Sequence, residues 1–206
     1  FSALRAAPAA QAGLIAYLWP LLIVVFSGLL PSERLRAGHV IGALLGFAGA
    51  AIIITEGGVG LRAEHVTGYL FALAAAFTWA GYSVLSRLVG DAPTASVAVF
   101  CLATSFLSLP LHFMFEQTTL PATALGWASI AGLGLGPVGF AFYVWDIGCK
   151  RGDIQLLGTS SYAAPLLSAL ALIVVGIASP SMTLLWAAVL ITGGAVLAAR
   201  ASISKK

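Results

Sequence analysis

The chain has 206 residues, of which 60% are hydrophobic and only 8% are charged, and its mean hydropathy is +1.03. A soluble domain carries about 25% charged residues, so most of this surface could not face water. The net charge of +3 does not indicate nucleic-acid binding, because the ten lysines and arginines form no basic stripe. The composition excludes a soluble enzyme domain, a disordered segment and a disulfide-stabilised secreted domain. It predicts an integral membrane protein.

Seven continuous apolar stretches are long enough to cross a membrane, since a hydrocarbon core about 30 Å thick needs about 20 helical residues. Strands are not indicated, because these stretches show no ten-residue alternation of polar and apolar side chains. The predicted fold class is therefore all-α, a polytopic helical membrane bundle. The predicted spans are 7–30, 38–56, 66–88, 93–115, 122–148, 153–178 and 183–200.

The basic residues predict the orientation, because cytoplasmic loops carry an excess of lysine and arginine. If the seven spans alternate in direction, only Arg5 and Arg62 lie on one side of the membrane. The C-terminus is therefore predicted to be cytoplasmic and Phe1 to be outside. The residues on the cytoplasmic side would be Arg34, Arg36, Arg87, Lys150, Arg151, Arg200, Lys205 and Lys206.

A short motif occurs twice in the chain. Residues 17–22 and 162–167 both read Tyr-x-x-Pro-Leu-Leu, and the same offset (17 to 162) also aligns Gly49 with Gly194. Five spans' worth of chain separate the copies, an odd number, so the copies have opposite orientations in the membrane. Inverted repeats of this kind are typical of transporters, whose substrate site lies near the midplane where the halves meet.

The repeat predicts how the chain is organised. The first-copy counterparts of the three spans that open the second copy would lie before Phe1, so we expect about seven of ten spans here, in two five-helix halves. The predicted parts are the end of a first repeat (1–56), an inter-repeat loop (57–65), a second repeat (66–200) and a cytoplasmic tail (201–206).

Several motifs together resemble the drug/metabolite transporter superfamily of the EamA type. They are the segment Tyr17-Leu18-Trp19-Pro20, the Glu33-Arg34 turn, the glycine-rich helix with Gly42, Gly46 and Gly49, and the segment from Gly68-Tyr69 to Ala80. Tyr-Leu-Trp-Pro is similar to the YddG-type amino-acid exporter branch. The second copy departs from the pattern, because it has Ser179-Pro180-Ser181 where the first has Glu33-Arg34.

The resemblance implies a transporter of the bacterial inner membrane that exports amino acids, including aromatic and other apolar ones, by alternating access. It implies a small-molecule substrate and contact with membrane lipid. We expect a monomer, with a homodimer as the alternative. No cofactor is expected, and no catalytic motif is visible. The three histidines, His39, His65 and His112, are far apart near span ends, so we expect them to face water and expect no metal site.

Prolines are predicted to bend three of the spans. Pro20, Pro137 and Pro165 each lie near the middle of a span, where a proline removes one backbone hydrogen bond and frees the carbonyl four residues earlier. Within a bilayer such carbonyls need a partner from protein, water or substrate. We therefore predict cavity-lining bends or gates at these prolines; the alternative is a simple packing kink.

Aromatic and hydroxyl side chains near the bends are the candidate substrate-binding residues. Trp19 and Trp79 are near mid-span, unlike tryptophans of an interfacial belt. Hydrogen bonding between helices is the alternative role for these side chains. The full candidate set is Tyr17, Trp19, Trp79, Tyr82, Ser83, Ser160, Ser161 and Tyr162.

The middle of every span lacks Asp, Glu, Lys and Arg. Transporters coupled to protons or sodium usually place an ionisable group within the membrane. Uncoupled, gradient-driven transport is therefore predicted. Two alternatives stay open: a superfamily exporter of a drug, sugar-like metabolite or nucleoside, and a non-transporting scaffold. The scaffold would bind partner helices through glycine faces such as Gly42-x-x-x-Gly46 and Gly132-x-x-x-Gly136.

Overall fold

A computed structural model describes residues 2–31, 33–55 and 60–203. Over these ranges the chain is helical and contains no strand, which confirms the predicted all-α membrane fold. A 3-10 turn, Ala63–His65, precedes α5, and a π-helical stretch, Gly134–Phe140, joins α7 to α8. The helices are α1 Ser2–Ala6, α2 Ala9–Ala16, α3 Trp19–Ser27, α4 Ala37–Thr55, α5 Val66–Leu88, α6 Ser96–Phe115, α7 Ala124–Leu133, α8 Ala141–Arg151, α9 Ile154–Ser160, α10 Ala163–Val174 and α11 Met182–Ile203.

Seven segments within the described ranges are long and apolar enough to cross a membrane, as the sequence predicts. Three of them contain more than one α-helix. Two of these spans are broken, one between α2 and α3 and one between α9 and α10; in the third, a π-helical stretch joins α7 to α8. The segments are Ala9–Ser27, Ala37–Thr55, Ala63–Leu88, Ser96–Phe115, Ala124–Arg151, Ile154–Val174 and Met182–Ile203.

The C-terminal ends of the last two spans differ from the prediction. The span predicted over 153–178 ends at Val174, because Gly176 adopts a positive φ of 75°. Its N–H and that of Ile177 bond back to the carbonyls of Ile173 and Leu172, which closes the helix C-terminus. The last helix, α11, runs to Ile203, three residues past the predicted span end at 200. The predicted boundary at 56/57 and residues 204–206 lie outside the described residues.

The chain divides into two compact units, Phe1–Leu88 with Asp153–Lys206, and Val89–Gly152. The second unit contains α6 to α8. Within it, Asp146 and Lys150 form an ion pair at 2.7 Å, and both side chains are almost fully buried. Lys150 Nζ also donates to the Ala92 carbonyl at 2.9 Å, which ties α8 to the turn before α6.

The first unit is built around the close packing of α4 on α11. A Cβ placed on Gly42 would lie 2.5 Å from the Gly194 carbonyl oxygen, and one on Gly194 would meet the Gly42 carbonyl oxygen. One on Gly49 would lie 2.8 Å from the Ala187 carbonyl oxygen. The repeat offset aligns Gly42 with Ala187 and Gly49 with Gly194. The contact between Gly42 and Gly194 therefore corresponds to the contact between Ala187 and Gly49, and both copies use the same helix contact.

The predicted glycine motifs have different outcomes. Gly42-x-x-x-Gly46 lies in the α4 contact face and allows close helix approach, as expected. Around Gly132 and Gly136, in contrast, no described atom lies within 4 Å of an added Cβ. The second motif therefore makes no close helix contact within the part of the chain that the structure describes.

His39 does not face water, contrary to the prediction. Its side chain is fully buried near the start of α4. The Arg36 N–H donates to Nδ1 at 3.3 Å, and Nε2 lies 3.3 Å from Ser202 Oγ of α11. The Arg36 guanidinium donates to the Ala201 carbonyl at 3.1 Å. The positions of the span ends in the sequence could not show that the start of α4 and the end of α11 meet here and bury the imidazole.

We predict that Gly194→Ala lowers the free energy of unfolding by about 1–3 kcal/mol, because the new methyl group would overlap the α4 backbone. Gly193→Ala is the matched control, since no described atom lies within 4 Å of a Cβ there. Thermal unfolding of the detergent-solubilised protein measures both. Equal effects of the two variants would contradict the close α4–α11 contact.

Candidate functional site

The two broken spans of the first unit have their breaks at matching positions. The first break follows Ala16 and the second follows Ser160, and α3 and α10 start within a few residues of them. Pro20 and Pro165 lie in the first turn of the new helix, where proline is tolerated because N–H groups there have no helical acceptor. The prolines therefore sit at helix starts.

The carbonyl that Pro165 releases has a local partner. The Ser161 oxygen, four residues before this proline, accepts from the Ala164 N–H at 3.1 Å. This bond satisfies the carbonyl without water or solute. The predicted use of freed carbonyls as solute contacts therefore has no support at this bend.

An aromatic cluster lies next to the first break. Trp19, the first residue of α3, meets Trp79 of α5 edge to face, with ring centroids 6.3 Å apart and an interplanar angle of 86°. Tyr82, one turn further along α5, stacks at a tilt on Trp79 with centroids 5.6 Å apart. All three side chains are partly exposed. The structure thus brings together three of the predicted candidate residues, Trp19, Trp79 and Tyr82.

The predicted serines differ in what their hydroxyls do. Ser83 is buried, and its Oγ donates to the Trp79 carbonyl at 2.8 Å, one turn earlier in the same helix. Ser161 Oγ donates to the Leu157 carbonyl at 2.8 Å. These back-bonds to the own helix are common for hydroxyls in apolar surroundings. Ser160 is exposed at the end of α9, so its hydroxyl is the most accessible of the three.

The two repeat-related tyrosines have different surroundings. Tyr162 is fully buried, and its hydroxyl accepts from the Leu21 N–H at 3.0 Å. Its ring packs edge to face on Phe47, with centroids 6.1 Å apart. Tyr17 is only half-buried, packs beside the same core, and makes no side-chain hydrogen bond to the described residues. A solute-binding role stays a prediction for both, although Tyr162 already has a structural contact.

Pro137 belongs to the second unit. It lies inside the π-helical stretch Gly134–Phe140 that joins α7 to α8. A π-helical stretch can accommodate a proline inside a helical span. The bend and the gating role of Pro137 stay predictions.

Two polar contacts were not anticipated from the sequence. Glu33, in the turn after α3, pairs with Arg87 at the end of α5 at 2.8 Å, with only 5% of the Glu33 side chain exposed. Near the start of α5, the Tyr69 hydroxyl donates to Gln11 Oε1 at 2.7 Å, and Gln11 Nε2 donates to the Gly60 carbonyl at 2.6 Å. The Glu33-Arg34 motif marked the first contact, but 54 residues separate the partners. Only the fold brings them together.

We predict that Arg87→Met destabilises the protein by about 1–3 kcal/mol, because it leaves the Glu33 carboxylate buried without this partner. Glu33→Gln should cost less, since the amide carries no charge. Arg62→Met is the control, because the Arg62–Glu64 pair is exposed and such pairs contribute little. Unfolding in detergent gives the values; a loss for Arg62→Met as large as that for Arg87→Met would count against the burial argument.

Comparison with known proteins shows what this arrangement is similar to. The sequence profile described as the EamA-like transporter family matches residues 1–55 and 66–200. The aromatic amino acid exporter YddG of Ancylobacter novellus is 55% identical over 200 residues, which cover 96% of this chain and 69% of that protein. A solved crystal structure with 55% identity covers 96% of this chain and 68% of its own, with a TM-score of 0.92.

More distant relatives carry the same description. Aromatic amino acid exporters YddG of Salmonella typhimurium and Escherichia coli are 28% and 25% identical, over 92% of this chain. The matched region covers 66% of each of those two proteins. The chain therefore corresponds to about two thirds of the length of these relatives.

Proposed function

The chain belongs to the EamA-like transporter family, and from this membership we propose that it exports amino acids, including aromatic ones, across the bacterial inner membrane. The observation that carries the proposal is the cluster of Trp19, Trp79 and Tyr82 at a helix break within a membrane-spanning segment. The relative that is 55% identical is named an aromatic amino acid exporter, which supports the same substrate class.

The aromatic cluster suits an aromatic side chain. Partly exposed rings offer both faces and edges, and aromatic pairs prefer edge-to-face or offset arrangements. A solute ring can therefore pack against Trp79 while the existing Trp19 contact holds that indole in place. Ligand sites usually combine such apolar walls with a few polar groups that orient the solute.

The polar groups for the amino-acid head group come from the helix breaks. The first turns of α3 and α10 form the positive ends of helix dipoles, and the ends of α2 and α9 form the negative ends. Half-helix termini of this kind attract the carboxylate and ammonium groups of a zwitterion. The Ser160 hydroxyl, exposed at the end of α9, adds a side-chain contact.

Uncoupled transport is supported by where the charges lie. In the described spans every Asp, Glu, Lys and Arg lies near a span end, and the buried ones form the pairs Glu33–Arg87 and Asp146–Lys150. The described spans therefore have no carboxylate near their middle that could carry a coupling proton. We propose alternating access in which the halves rock at Pro20 and Pro165, with Pro137 as a further bend.

We predict saturable uptake of phenylalanine and tryptophan into proteoliposomes of the full-length protein, without an imposed pH gradient. Trp79→Ala should lower kcat/KM by about ten- to thirtyfold, the size of effect expected for removing a central aromatic contact. Trp186→Ala is the matched control, because Trp186 is exposed on α11.

Three results would change the proposal. An absence of aromatic amino-acid flux would refute the substrate class. Flux that requires a proton gradient would refute uncoupled transport. Equal losses for Trp79→Ala and Trp186→Ala would refute the aromatic cluster as the binding site.

We also propose that the C-terminus is cytoplasmic, since most lysines and arginines lie on that side of the spans. Green fluorescent protein fused after Lys206 should therefore fluoresce in cells, whereas alkaline phosphatase at the same point should be inactive. The opposite pair of results would invert the orientation.

A further inference from the structure

The repeated sequence motif also includes a glycine four residues before the tyrosine. Residues 13–22 and 158–167 both follow the pattern Gly-x-x-x-Tyr-x-x-Pro-Leu-Leu. In each copy the glycine and tyrosine are one helical turn apart, so they lie on the same helix face. We call the glycine and tyrosine of each copy its clasp; these are Gly13 with Tyr17, and Gly158 with Tyr162. We call the proline and the leucine directly after it the grip; these are Pro20 with Leu21, and Pro165 with Leu166.

The clasp of the second copy is closed on the grip of the first. A Cβ placed on Gly158 would lie 3.1 Å from the Pro20 carbonyl oxygen, so α9 passes directly against the start of α3. One turn later, the Tyr162 hydroxyl accepts the Leu21 N–H at 3.0 Å. Leu21 is in the first turn of α3, where N–H groups have no acceptor in their own helix. The clasp therefore holds the start of α3 at two adjacent backbone groups.

Gly46 of α4 provides the space for this closed clasp. A Cβ there would lie 2.6 Å from Tyr162 Cδ2, so any larger residue would displace the tyrosine ring. The ring is fully buried as a result. Its hydroxyl reaches Leu21 only because α4 has no side chain at this point.

The clasp of the first copy is open. Around a Cβ placed on Gly13, the one described neighbour within 4 Å is Ile54 Cγ2 at 3.6 Å, an ordinary contact that an alanine would tolerate. Pro165 is therefore not against Gly13 as Pro20 is against Gly158. Tyr17 is half-exposed, and no hydrogen bond joins its hydroxyl to Leu166. Nothing in this conformation explains why position 13 is a glycine.

We infer that Tyr17 and Tyr162 are alternating positioning residues: one clasp is closed in each of the two conformations of the transport cycle. This inference rests on the proposed alternating access. Inverted halves exchange their conformations when such a transporter changes the side on which it is open. In the opposite conformation Gly13 and Tyr17 close on Pro165 and Leu166, while Tyr162 releases Leu21. The exchange gives Gly13 its function.

A sequence difference between the copies sets the balance between the two clasps. Shifting Gly46 by the repeat offset (46 to 191) gives Ile191, a branched residue of the apolar core against which Tyr17 packs. A ring seated there would meet the isoleucine side chain, so closing the first clasp is less favourable. The closed Tyr162 clasp seen in the structure is the expected resting form. Ile191→Gly should make the two seats more alike.

The Trp19–Trp79 pair is coupled to this exchange. Trp19 is the first residue of α3, two residues before the Leu21 N–H that Tyr162 holds. Release of Leu21 frees the start of α3 and with it the Trp19 ring that rests on Trp79. The clasp therefore positions an aromatic wall of the proposed binding site.

Distance measurements by double electron–electron resonance test the exchange in the full-length protein. Spin labels are placed on cysteines at Ala9, the first residue of α2, and Val174, the last residue of α10, with Cys101 and Cys149 replaced by alanine. The proposed topology places both labels on the same side of the membrane, so their distance reports whether these halves approach each other. Tyr162→Phe keeps the ring but loses the acceptor, so the short-distance population should rise about three- to tenfold. Ile191→Gly should shift it in the same direction. Tyr17→Phe added to Ile191→Gly should reverse that shift.

Tyr143→Phe is the matched control, because Tyr143 lies in α8 outside both copies of the motif and should leave the distances unchanged. Shifts in the same direction for Tyr17→Phe and Tyr162→Phe, or a lower Tm without any population change, would overturn the exchange. The distances need no solute. Opposite shifts without amino-acid flux would refute the proposed substrate alone, whereas flux without opposite shifts would refute the clasps alone.

Discussion

The close backbone contact of α4 with α11 is the constraint on which the rest of the first unit depends. Gly42 and Gly194 each lie where the other helix allows no side chain. In a bilayer there is little hydrophobic gain from bringing helices together, so packing of backbone against backbone is the main source of association. The same contact recurs in the other copy at Gly49 and Ala187. The two helices therefore form the centre about which both broken spans are arranged.

The two broken spans of this unit place helix ends within membrane-spanning segments. Breaking a helix inside the membrane exposes backbone groups that lipid cannot satisfy. The protein satisfies the Leu21 N–H with the Tyr162 hydroxyl and the Ser161 carbonyl with the next turn. The break also places Trp19 at a helix start, where it meets Trp79. The aromatic pair thus follows from the same break that places these helix ends within the span.

Much of the site could be proposed from residue type and depth. Trp19, Trp79 and Tyr82 were expected to act together, and the structure joins them in one cluster. The tyrosines at 17 and 162 looked equivalent because their motifs are identical, yet only one is buried and bonded. The difference lies in Gly46, which is distant in sequence from both and becomes relevant only once α4 packs beside Tyr162.

The sequence by itself determined the membrane class, the seven spans, the broken helices and the repeat, because apolar length, proline position and motif offset are local properties. Tertiary structure alone decided that His39 is buried and that Glu33 meets Arg87. It also decided which of two matching clasps is closed. The physical reason is that hydrogen bonds and ion pairs between elements depend on distances of a few ångströms, which helix packing sets and periodicity does not encode.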